Sequence, residues 1–82
     1  MMEKQHKITE RYFHIVLRKY RTTTGLTQEE VSERAEMSKS FYSMMELGKR
    51  WPSIDRLFLI AKALNVRPSE LIAALEEEAE KS

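Results

Sequence analysis

Lys39, Ser40, Ser43 and Met44 lie within six residues, at spacings that gather them on one side of a helix. Tyr42 and Met45 fall on the opposite side, so the first set faces outward and the second inward. The outward set has the chemistry to read the edges of DNA bases. A lysine ammonium at a helix start donates to guanine O6 and N7, a serine hydroxyl pairs with any base, and a methionine offers an apolar contact to a thymine methyl. Plainer roles stand beside these: Lys39 could meet a phosphate, Ser43 is a second-rank reader, and Met44 could be a half-buried packing residue. Phe41, at the edge of the apolar face, suits packing first and a methyl or sugar contact second.

The elements that must position these side chains lie in residues 27–46, TQEEVSERAEMSKSFYSMME. Thr27 is a good N-cap, and Glu30 three residues on completes a capping box. Val31 and Ala35, four apart, share one helical face. Ser38 caps a second helix after a tight turn. A short capped helix with a small polar outer face suits the DNA major groove, so residues 27–47 read as a helix-turn-helix.

Three further helices complete the pattern. Tyr12, Phe13, Val16, Leu17 and Tyr20 give an amphipathic helix over residues 9–21, stopped by the β-branched TTTG run. Gly48 closes the recognition helix. Ser53 caps a fourth helix with Ile54, Leu57, Phe58, Ile60, Ala61 and Leu64 inward, ended by Asn65. Pro68 suits the first turn of a fifth. There Leu71 and Ala74 pack inward, while Ile72, Leu75 and Ala79 extend the apolar stripe sideways. Such a stripe marks a partner surface, here a two-fold homodimer face; the alternative is that it completes a monomer's core. Residues 76–82 form a short acidic tail, expected to fray, with Glu77–Lys81 its one evident i,i+4 pair. No strand pattern competes, and residues 1–82 read as one all-α, five-helix domain.

Composition narrows the function. Eighty-two residues allow only a modest core, and the absence of cysteine removes disulfides and thiolate metal sites. His6 and His14 have no convincing ligand partners, so no metal and no cofactor is expected. No apolar run is long enough to span a membrane, and the charged MMEKQHK start carries no signal peptide, so the expected compartment is the cytoplasm. Residues 1–52 hold ten Lys/Arg against seven Asp/Glu, and residues 53–82 four against six. That mild asymmetry permits DNA binding and does not establish it. No nucleophile–base–orienter set and no glycine-rich phosphate loop occurs, so no catalytic residue is assigned and no enzyme is expected.

The LRKYR run at residues 17–21, GLTQEEVSERA at 25–35, SxxxYSxME at 38–46, GKRWPS at 48–53 and LFLIAKALNVRPSEL at 57–71 together resemble the Cro/phage-repressor (XRE) helix-turn-helix family. The resemblance covers residues 17–71 and departs at two positions: Glu36 stands where the turn usually has Gly, and Ser32 where the first motif helix usually has Ala. Glu36 is thereby expected in a mildly strained conformation. The resemblance implies a lambda-repressor-like fold and matches Lys39, Ser40 and Met44 to base-reading positions. It places Gln28, beside Thr27, at a phosphate, where a helix N-terminus suits an anion. Lys49, Arg50 and Trp51 fall in the loop that follows the DNA backbone in relatives. Trp51 could instead lid the core beside Pro52. Arg18 could touch phosphate or simply face solvent. Arg21 and Glu46 match a partly buried structural ion pair.

These readings lead to a DNA-binding transcriptional regulator, repressor or controller, that occupies operator DNA as a homodimer on half-sites about 34 Å apart. Contact with RNA polymerase is open under this reading. The alternative is an antitoxin-like interaction module that binds a partner protein as well as DNA.

Overall fold

The structure is a computed structural model and describes residues 7–81. The N-terminal stretch with His6 lies outside the described residues. Within them the chain forms five helices: α1 (Ile8–Thr24), α2 (Gln28–Arg34), α3 (Lys39–Glu46), α4 (Ile54–Ala63) and α5 (Pro68–Lys81). No strand occurs among the described residues.

Helix α1 runs three residues beyond the expected stop. The Thr22 hydroxyl donates to the carbonyls of Arg18 (2.9 Å) and Lys19 (3.1 Å), and that of Thr24 to Arg21 (2.7 Å). Such back-bonding lets threonine, a modest helix former, close the last turn. Gly25, at φ 77°, then ends the helix.

The capping box at α2 is complete. The Glu30 N–H donates to Thr27 Oγ1 at 3.0 Å, and the Thr27 N–H donates back to Glu30 Oε1 at 2.9 Å. That backbone donor is the main reason the Glu30 carboxyl sits below its ordinary pKa. Ser38 and Ser53 cap α3 and α4 by accepting from the N–H groups of Phe41 and Arg56.

Helices α2, α3 and α4 end alike. A residue in the left-handed region follows each C-cap: Glu36 (φ 59°), Gly48 (φ 79°) and Asn65 (φ 60°). Each forms the crossed bond pair of a Schellman turn, as in Met37 N–H to Ser32 O (3.0 Å) with Glu36 N–H to Glu33 O (3.2 Å). Glu36 therefore occupies a conformation that favours glycine. At Gly48 a side chain would also crowd the His14 ring, since an added Cβ would lie 3.3 Å from Nδ1.

The core joins all five helices: Phe13, Val16 and Leu17 of α1, Val31 and the adjacent Ala35, Tyr42 and Met45 of α3, Leu57, Ile60 and Ala61 of α4, and Leu71 of α5. Two expected core members are absent from it. Ile54 and Phe58 are 65 % and 57 % exposed. A helix turns about 100° per residue, which carries Phe58 off the Leu57–Ile60–Ala61–Leu64 stripe, and Ile54 sits in the first turn at its margin. The buried Ser32 is accommodated because its hydroxyl donates to the Glu29 carbonyl at 2.9 Å.

The acidic end also differs from the expected frayed tail. α5 packs along α1 and stays helical through Lys81. Glu78, half-buried, meets Lys19 of α1 at 3.7 Å and Lys81 at 3.5 Å, in place of the expected Glu77–Lys81 pair.

Candidate nucleic-acid interface

Helix α3 is held by a carboxylate. Glu46, in its last turn, is 1 % exposed. Its side chain accepts from Arg21 Nε (2.5 Å) and Nη2 (3.0 Å), from Gln28 Nε2 (2.9 Å) and from the Tyr42 hydroxyl (2.6 Å). Arg21 also donates to the Leu26 carbonyl at 3.0 Å, binding the α1–α2 connection into the same network. Burial by itself would raise the Glu46 carboxyl, but the hydrogen bonds from Arg21, Tyr42 and Gln28 outweigh it and hold the group below its ordinary value. The Glu46 bond raises the Arg21 guanidinium, and burial, followed by the bond to Glu46, pushes the Tyr42 phenol well up. An ionised carboxylate with three donating side chains is a satisfied buried charge. It fixes the end of α3 to α1 and to the start of α2.

With Tyr42, Met45 and Glu46 buried, the other side of α3 is turned out. Lys39 and Ser40 are exposed, and Ser43 and Met44 are half-buried. No ion pair engages Lys39 among the described residues. Phe41 is half-buried against the core, and the Arg56 guanidinium lies 4.6 Å above its ring centroid.

The flanking residues divide into those bonded only to near neighbours in the chain and those tied to Glu46. Thr27, Lys49 and Arg50 are exposed, with Arg50 Nη1 donating to the Lys49 carbonyl at 3.2 Å. Trp51, 42 % exposed, is not the core lid that sequence allowed. Arg18 is engaged rather than freely solvated: its Nη2 reaches the Glu46 backbone carbonyl at 3.5 Å and its Nε lies 3.9 Å from the Glu46 carboxylate. Gln28 is half-buried and already gives one amide hydrogen to Glu46. Of the residues expected at a dimer face, Ile72 is 47 % exposed, whereas Leu75 packs partly on the core and Ala79 is half-buried.

Three members of the Glu46 network, Tyr42, Gln28 and Arg18, carry no assignment to it from sequence. Tyr42 precedes Glu46 by one helical turn, a spacing that could have identified the pair. Gln28 lies eighteen residues away, and no local signal joins it to Glu46. Arg56 carried no sequence signal either, because its partner Phe41 belongs to another helix. Among the described residues no cluster of His, Asp or Glu could hold a metal ion, and no helix is long and apolar enough to cross a membrane.

This arrangement has counterparts. Residues 17–71 match the helix-turn-helix family model. An HTH-type transcriptional regulator of Sinorhizobium fredii, y4dJ, is 40 % identical over 57 residues, covering 70 % of this chain and 74 % of its own. Among solved structures, the restriction–modification controller protein C.AhdI from Aeromonas hydrophila is 30 % identical, with a TM-score of 0.70 over 80 % of this chain and 97 % of its own. A variant of the controller protein C.Esp1396I superposes with a TM-score of 0.79 at 28 % identity, covering 90 % and 91 % of the two chains. The chain belongs to the XRE-type helix-turn-helix family of DNA-binding transcriptional regulators.

Proposed function

We propose that the protein regulates transcription by seating α3 in the major groove of an operator, as a homodimer on two half-sites. The observation that carries this reading is the division of α3: Tyr42, Met45 and Glu46 are locked inward, leaving Lys39, Ser40, Ser43 and Met44 as its outer face. These four read bases, and Thr27, Lys49, Arg50 and Trp51 meet the flanking phosphates. Gln28 offers phosphate its second amide hydrogen, the first being given to Glu46. Arg18 contributes with whatever N–H groups its contacts to Glu46 leave unused. The role is binding without catalysis, on DNA in the cytoplasm.

Likeness to two restriction–modification controllers supports a controller-type role beside simple repression. Ile72 centres the proposed two-fold face, with Leu75 and Ala79 at its inner edge. Salt titration tests the phosphate contacts. Log affinity should fall linearly with log salt, by about 0.9 per phosphate neutralised. Lys49→Ala and Arg50→Ala should each weaken all duplexes alike and flatten the slope by about one unit. Affinity indifferent to salt would contradict the reading.

A further inference from the structure

We propose that Arg56 is an additional DNA-phosphate contact, held ready by the ring of Phe41; this rests on the groove placement of α3 given above. The guanidinium stands 4.6 Å from the Phe41 ring centroid, Arg56 is exposed, and no carboxylate pairs with it among the described residues. A cation stacked on an aromatic face uses its π surface there and keeps its in-plane N–H groups for acceptors. The ring also limits the rotamers of a long side chain that would otherwise lose that freedom on binding.

Position selects phosphate over a base edge. Phe41 lies on the flank of α3, between the outward face of Lys39, Ser40, Ser43 and Met44 and the buried face of Tyr42 and Met45. A helix about 10–12 Å across nearly fills a major groove about 12 Å wide, so its flanks meet the groove walls, which are phosphate. The Ser53 hydroxyl, by capping the Arg56 N–H at 3.2 Å, fixes the backbone from which this arm projects. A planar guanidinium there matches a phosphate bidentately.

The test measures affinity for a duplex selected from a random pool, and for an unrelated duplex of equal length, across a range of salt. Arg56→Ala should weaken both on the order of tenfold at low salt, as for a lost charged hydrogen bond, and flatten the salt slope by about one unit. Phe41→Leu, which keeps apolar volume, should cost about two- to fivefold with the slope unchanged. In the Arg56→Ala background the same change should cost almost nothing, because the two act as one unit. Circular dichroism checks that each variant is folded; should Phe41→Leu unfold, the slope of Arg56→Ala decides alone. An Arg56→Ala slope equal to that of the unaltered protein overturns the proposal while leaving the groove reading intact. Failure of the unaltered protein to bind either duplex at low salt overturns both.

Discussion

At the residue scale the protein turns on Glu46. Removing one partner of a buried charged pair costs about 3–5 kcal/mol, since the survivor is left uncompensated. In a domain whose whole stability is of order 5–15 kcal/mol, Arg21→Met should therefore remove a large share of the total, read as a lowered midpoint in urea unfolding. The pH dependence has a definite sign. The folded carboxyl lies below its ordinary value of 4.5, so the unfolded chain binds a proton first. The stabilisation is present above pH about 4.5 and is lost as pH falls through the lower folded value. Urea unfolding between pH 6 and pH 3 should show this loss, and Glu46→Gln should be less stable at pH 6 yet flatter across the range. A Glu46→Gln curve as steep as that of the unaltered protein would contradict the account. Sequence likeness pointed to Arg21 and Glu46 as partners, but not to the network's extent. Gln28 and Arg18 join it through the folded arrangement of three helices, which no spacing along the chain encodes.

At the element scale the helix boundaries are the most legible part. Thr27 with Glu30, Ser38, Ser53, Gly48 and Asn65 mark starts and stops through local hydrogen bonds that the chain writes in order. The misplacements have one local and one tertiary cause: threonine back-bonding extends α1, and packing along α1, with the Lys19–Glu78 contact, fastens the end of α5. Ile54 and Phe58 were misplaced because helical period alone does not say where a neighbouring helix ends. Glu36 offers a test at this scale. The left-handed conformation costs a residue with a Cβ about 1–2 kcal/mol, against roughly 0.4–1 kcal/mol of added unfolded-state entropy for glycine. Glu36→Gly should thus stabilise by up to about 1.6 kcal/mol in denaturant unfolding, with DNA affinity unchanged. A destabilised variant would show that the turn holds no strain.

At the scale of the whole molecule, a rigid bundle presents one short helix, and one such helix reads few bases alone. Pairing two copies is the natural remedy, and a two-fold interface places the same patch against itself. Ile72→Asp, at an exposed position, should give a folded monomer by sedimentation with much reduced operator affinity; an unchanged dimer would move the interface elsewhere. The central claim concerns the outer face of α3, and selection of bound sequences from a random duplex pool tests it most directly. The unaltered protein should yield a two-fold-symmetric site. The Lys39→Ala, Ser40→Ala, Met44→Ala triple variant, still folded, should lose preference at the contacted bases, at about 1–3 kcal/mol for each contact removed. Recovery of the same site at the same strength by the triple variant would contradict the account.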